Sequence, residues 1–176
     1  MKKILVVVDM QKDFVDGALG TGEAVAIVHA VAEKIRTFRG DELFVTFDTH
    51  GADYSRTLEG QKLPVPHCIK GTAGWQLDKT VAAALEGKNY TPVEKNTFGT
   101  FQIGEALHQK YPGEEIEAEL IGLCTDICVV SNALILRAFY PNAVIKVDAR
   151  CCAGVTPALH EAALSTMRSC QLDVSE

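Results

Sequence analysis

Five apolar residues from Ile4 to Val8 run without a polar interruption, a length and β-branched content that read as a buried strand. From Glu23 to Arg39, Val25, Val28, Ala32, Ile35 and Phe38 recur at helical spacing, and Gly40 follows as a stop. The same alternation continues along the chain. Leu43–Phe47 reads as a second strand, Trp75–Leu85 as a helix ending near Gly87, and Tyr90–Glu94 as a weaker strand interrupted by Pro92. Phe101–Tyr111 reads as a helix and Glu119–Leu123 as a strand, while Ile127–Phe139 is a helix so apolar on every side that it belongs at the centre. Val144–Val147 gives a fifth strand. Thr156-Pro157 starts a last helix with a capping hydroxyl and a proline at its first position, and Gln171–Val174 is a short sixth strand.

Strands alternating with helices predict parallel pairing through right-handed crossovers, hence one doubly wound α/β domain over residues 1–176, a six-stranded parallel sheet with helices on both faces. The segment Asp48–Gly74 breaks the rhythm. It has no convincing periodicity, whereas connections in such units usually take about 2 to 6 residues, and loops that long are often functional. Ligands of open parallel sheets bind beyond the carboxyl ends of the strands, so residues just after each strand are the ones to inspect for chemistry.

Composition narrows the partners. The 176 residues are 47% hydrophobic and 23% charged, and at that length about 70% of the unfolded chain's surface is buried on folding, enough for a core without metal or disulfide staples. A net charge of −6 is the wrong sign for a nucleic-acid surface. Lys2-Lys3 runs straight into Ile4–Val8 and then Asp9, which is neither a secretory leader nor a membrane span. The expectation is a cytoplasmic protein whose six cysteines are free thiols.

Asp9 follows the first strand, Asp48 and His50 the second, Lys95 the third, and Cys124 to Cys128 the fourth, so one rim of the sheet gathers them. A thiol at the start of a buried helix, Cys128, would feel the dipole and free N–H groups that favour thiolate. A carboxylate such as Asp9 could take its proton, and a cation such as Lys95 could hold both anions. Each residue also has a plainer use: Cys128 as a small buried hydrophobe, Asp9 as a turn former, Lys95 as a solvated cation. Cys151, Cys152 and Cys170 read as packing residues, and His29, His108 and His160 as surface residues on helices. Asp48 and His50, at i and i+2 of an extended segment, point to the same side, and His67 with Glu59 from the long loop could complete a nitrogen and oxygen shell suited to zinc, manganese or iron. A solvated loop is the alternative use of the same residues.

Taken together, Asp9-Met10-Gln11-Lys12-Asp13-Phe14, Lys95, and Gly122-Leu123-Cys124-Thr125-Asp126-Ile127-Cys128-Val129 resemble the isochorismatase-like cysteine hydrolases, a likeness running from the first strand into the last helix. The Asp48-x-His50 pair with His67 resembles the metal site of nicotinamidases, which hydrolyse nicotinamide to nicotinate and ammonia. The resemblance implies Cys128 as nucleophile, Asp9 as general base and acid, and Lys95 as third member of the triad. It also implies an oxyanion hole from the backbone N–H groups of Cys124 and Cys128, a non-proline cis peptide at Leu123-Cys124, and apolar pocket walls from Phe14, Phe98 and Phe101. By the same likeness a metal held by Asp48, His50, Glu59 and His67, zinc foremost, binds the pyridine nitrogen, and the protein is a homo-oligomer. Two departures stand out. Glu59, or nearby Asp53, occupies the place where some nicotinamidases use a third histidine, and Leu63-Pro64-Val65-Pro66 precedes His67 without the tryptophan of some relatives. Hydrolysis of another small amide or of an enol ether, and a non-catalytic metal- or thiol-binding module of the same fold, are the competing functions.

Overall fold

A computed structural model describes residues 1–176. The first strand, β1 (Lys2–Val8), lies at the middle of a six-stranded sheet and pairs in parallel with β2 (Glu42–Asp48) on one side and β4 (Ile116–Leu123) on the other. β3 (Thr91–Lys95) extends the sheet beyond β2, and β5 (Val144–Ala153) and β6 (Asp173–Ser175) extend it beyond β4, giving the order β3-β2-β1-β4-β5-β6 with every pair parallel. Alternation along β1 explains the layering. Ile4, Val6 and Val8 enter a core beneath α5 (Gln102–Lys110), α6 (Val130–Phe139) and α7 (Pro157–Ser169), whereas Leu5 and Val7 enter a second core beneath α2 (Gly22–Thr37) and α4 (Lys79–Leu85). Because β1 leads to β2 on one side while β4 lies on the other, the connections diverge there and leave a crevice at the strands' carboxyl ends.

Several boundaries differ from the pattern reading. The helix expected over Trp75–Leu85 begins only at Lys79, where Asp78 caps it by accepting from the N–H groups of Thr80 and Val81. Trp75 instead packs its ring on Phe47 and donates from Nε1 to Thr49 Oγ1. The long segment after β2 is partly ordered into a 3₁₀ turn (Tyr54–Arg56) and a five-residue helix α3 (Leu58–Lys62), and a further short helix, α1 (Lys12–Val15), follows β1. α6 begins at Val130, after a widened π-helical turn at Thr125–Val129.

Nor is α6 enclosed as its composition suggested. Asn132, Ala133 and Leu136 face the core, while Leu134, Ile135, Ala138 and Phe139 line an open apolar groove with Phe101. His160 is half-buried rather than a surface residue, its Nδ1 lying 2.8 Å from the buried Thr125 Oγ1. Cys151 and Cys152 are buried in β5, but Cys170 is exposed just past the end of α7; all six cysteines are free. No helix is long and apolar enough to cross a membrane.

Candidate active site

Asp9 leaves β1 with a left-handed backbone, φ +46°, and its side chain folds back to β2, where Oδ1 accepts from the Thr46 hydroxyl at 2.6 Å. The same hydroxyl accepts from the Asp9 N–H, so a single buried threonine fixes the carboxylate at two points. On the other side of β1, Gly122 of β4 makes a close backbone approach. At φ +118° it lies so close to β1 that a Cβ would press into the Val8 carbonyl oxygen. The next peptide bond but one, Leu123–Cys124, is cis, as the resemblance implied.

Lys95 is the last residue of β3 and only 4% exposed. Its Nζ stands 2.6 Å from Asp9 Oδ2, 3.5 Å from Cys128 Sγ and 3.7 Å from Asp48 Oδ1. Burial works against the ammonium, but the surrounding anionic groups, Asp9 foremost, outweigh it and hold its pKa above the ordinary lysine value. Asp9 Oδ2 thus faces the ammonium at ion-pair distance, while Oδ1 is held by Thr46.

Cys128 completes the group, its Sγ beside the Lys95 ammonium. It lies inside the widened turn rather than at a helix start, and burial, reinforced by the Asp9 charge and opposed by Lys95, pushes its thiol well above the ordinary value. Cys124, nearby on the same cavity, is pushed up to about 12 by burial. Its N–H donates to no group of the protein.

On the other side of Lys95 a second cluster forms. His50 Nε2 lies 2.9 Å and His67 Nε2 3.4 Å from Asp48 Oδ2, and both ring nitrogens lie close to Glu59 Oε1, at 3.7 and 3.5 Å. The exposed Asp53 stays outside; its carboxylate lies beside Gly51. His67 Nδ1 donates to the Val65 carbonyl at 2.8 Å, which turns the Nε2 lone pair of the neutral ring toward the carboxylates. Four ligands at about 2.0–2.2 Å around one tetrahedral ion stand about 3.4 Å apart, close to three of these four separations. The donor set thus fits a divalent metal. The two histidines and Lys95 outweigh burial and hold Asp48 far below the carboxylate range, while the Asp48 contact outweighs burial of His67 and raises that histidine.

Three supporting residues escaped the sequence reading. Gln11 binds Asp48 through a paired amide contact: Nε2 donates to the Asp48 carbonyl and Oε1 accepts from its N–H, at 2.9 and 2.7 Å. Tyr54, fully buried, packs edge-on against both histidine rings and donates to the Leu63 carbonyl. Thr46 is the third. Gln11 sits inside the motif after β1, and Thr46 is a lone hydroxyl in an apolar strand; those are the signals the sequence offered.

Between the clusters lies a cavity of about 270 Å³, just under the usual range of about 300–1,000 Å³ for drug-sized ligands, so it suits a small one. Cys128, Cys124, His67, Asp48 and Glu59 reach its surface, and Phe14, Phe98, Leu19, Leu63 and Val155 are among its apolar walls. Phe101, expected there, is not. It is 63% exposed and packs on Phe139, 6.1 Å between ring centres, because α5 starts at the following residue and turns it outward.

Aspartate, lysine and cysteine thus meet at the strand ends of a doubly wound α/β domain, and comparison with known proteins gives its family. The isochorismatase domain matches residues 3–176, and the chain belongs to that family. It is 33% identical over 144 residues to a Bacillus subtilis (strain 168) protein named uncharacterized isochorismatase family protein PncA, covering 76% of this chain and 78% of that one. Its fold is similar to the crystal structure of nicotinamidase/pyrazinamidase PncA from Bacillus subtilis, with a TM-score of 0.87, 30% identity and full coverage of both chains. It is also similar to pyrazinamidase/nicotinamidase from Streptococcus mutans UA159, with a TM-score of 0.86 and 26% identity over 98% of this chain and 99% of the other.

Proposed function

We propose that this protein is a nicotinamidase, hydrolysing nicotinamide to nicotinate and ammonia through a thioester on Cys128. The observation that carries the reading is the meeting of Asp9, Lys95 and Cys128 beside a small apolar cavity that Asp48, Glu59 and His67 also line. The similarity over almost the whole of both chains to proteins named as nicotinamidases supports it.

The chemistry runs through this chain's own groups. Asp9 Oδ2 takes the thiol proton as Sγ attacks the carboxamide carbon, and Lys95 stabilises both the carboxylate and the sulfur as charge moves between them. Negative charge passes to the carboxamide oxygen, for which the unpaired Cys124 N–H is a donor, joined by the Cys128 N–H in an oxyanion hole. Collapse of the tetrahedral adduct breaks the C–N bond, and the proton held by Asp9 leaves with ammonia. Water then adds to the thioester, giving one proton to Asp9, which returns it to the departing sulfur; the nicotinic acid formed sheds water's other proton to solvent and leaves as nicotinate. Asp48, His50, His67 and Glu59 would hold a divalent metal, zinc foremost, whose contribution is Lewis-acid binding of the ring nitrogen and hence orientation. Phe14 and Phe98 supply apolar walls for the ring.

A second reading, hydrolysis of a different small carboxamide, is favoured by the aliphatic Leu19, Leu63 and Val155 walls, which grip a planar ring less specifically than stacked aromatics. Ammonia release from nicotinamide by metal-loaded protein, beside benzamide and the Cys128→Ala and Asp9→Asn variants, separates the two. The nicotinamide reading expects benzamide, which lacks the ring nitrogen, to be turned over far more slowly; equal rates on both amides would favour the second reading. Undiminished turnover in either variant would remove the triad.

A further inference from the structure

Outside the residues given chemical roles, α6 carries one polar side chain that is almost completely buried. Asn132, 1% exposed, sits one turn beyond Cys128. Its amide reaches two segments at once. Nδ2 donates to the Cys128 carbonyl at 2.7 Å and to the Phe98 carbonyl at 3.2 Å, while Oδ1 accepts from the Thr100 N–H at 3.1 Å.

Both segments need such a tie. The π-helical turn does not follow the regular ladder: the N–H groups of Ile127 and Val129 converge on the Cys124 carbonyl. The carbonyls of Ile127 and Cys128 then receive side-chain donors from four residues on, Ser131 Oγ at 2.6 Å and Asn132 Nδ2. The segment 96–101 runs from the end of β3 back over α6, so close that a Cβ at Gly99 would collide with Ile135 and crowd Ser131. It carries Phe98, a wall of the cavity.

We infer that Asn132 is a positioning residue that couples the turn presenting Cys128 to the segment presenting Phe98, so that one amide sets both the nucleophile's aim and the ring's seat. The inference rests on the nicotinamidase reading for its substrate but not for its geometry.

Two substitutions separate the halves of the amide's work. A serine at this position repeats the bond that Ser131 makes four residues back, so Asn132→Ser retains a donor for the Cys128 carbonyl, yet its side chain is too short to hold Phe98 and Thr100. Asn132→Ala loses all three bonds. With nicotinamide, Asn132→Ser is expected to keep kcat within about twofold while KM rises at least fivefold; Asn132→Ala should raise KM alike and lower kcat roughly tenfold or more.

Iodoacetamide alkylation of Cys128, read by peptide mass spectrometry against the other five thiols, repeats the comparison without nicotinamide. Its rate should fall about tenfold in Asn132→Ala and stay near wild type in Asn132→Ser, because only the former frees the turn from its place beside Lys95. An unfolding role alone would lower the urea midpoint of both variants without splitting kcat from KM. Wild-type protein inert on nicotinamide would sink the function reading while leaving the alkylation comparison to decide the coupling. Indistinguishable alkylation rates in the wild type, Ser and Ala proteins, or equal losses of kcat and KM in both variants, would overturn the coupling. If Asn132→Ala does not fold, Asn132→Ser decides alone: raised KM at unchanged kcat supports the coupling, and any other result overturns it.

Discussion

Lys95→Met tests how strongly the site depends on one buried cation. Methionine keeps the length and apolar stem but removes the ammonium that stands 2.6 Å from Asp9 Oδ2 and 3.7 Å from Asp48 Oδ1. Asp9 is fully buried, so its charge would be left with the Thr46 hydroxyl and little else. At an effective dielectric constant of about 20, attraction across the shorter distance is worth about 6 kcal/mol, and the relieved desolvation of the ammonium offsets part of it. The net loss expected for breaking such a buried pair is about 3–5 kcal/mol, a fall in Tm of roughly 10 °C for a chain of this size. Asp9→Asn combined with Lys95→Met removes the orphaned charge and should recover most of that loss, so the two substitutions are strongly non-additive. Urea unfolding of the four proteins at pH 7 in EDTA measures the cycle. A loss under about 1 kcal/mol in Lys95→Met, or a double variant equal to the sum of the singles, would refute the argument that these charges are mutually dependent.

Gln11→Ala should weaken metal affinity about 10- to 100-fold in a competitive chelator titration, since the paired amide contact that orients Asp48 is lost while every ligand remains. Phe98→Ala should raise the KM for nicotinamide several-fold, whereas Phe101→Ala, which touches Phe139 instead of the cavity, should leave kcat/KM unchanged in the same assay. Far from the site, buried Asp148 accepts from Arg150 and pairs with Lys34, which together outweigh burial and lower its pKa from 3.8 to about 2. Because its folded pKa is depressed, this stabilisation is present above pH 3.8 and lost as pH falls through about 2. It amounts to about 2 kcal/mol at most, with Arg150 exposed to solvent, and Asp148→Asn should remove that share of the pH dependence of urea unfolding.

Where the chain pattern had a repeating physical cause, the sequence was a good guide to the fold. Five apolar residues in β1 could only be a strand buried on both faces, and the periodicity of α2 could only cover one of them. It misled for α6, because an apolar composition does not say which side is covered; four of its apolar residues face an open groove. Phe101 was misplaced for the same reason: an aromatic next to a motif has no direction until the helix after it is set. The ligand quartet could be suggested by donor types and the Asp48-x-His50 spacing, yet the choice of Glu59 over Asp53 depends on α3 and on the chain's path from Tyr54 to Leu63, neither of which has a periodic signal. Thr46, Gln11 and Asn132 act through hydrogen bonds that reach residues 37, 37 and 34 positions away, contacts that only the assembled fold creates.

Acid-quenched wild-type protein, sampled during turnover of nicotinamide and mapped by peptide mass spectrometry, tests the central claim most directly. A nicotinoyl group on the peptide bearing Cys128, absent when Cys128→Ala is treated identically, is the predicted result. Steady ammonia release with Cys128 never carrying an acyl group, even when hydrolysis is slowed by cold, would contradict it.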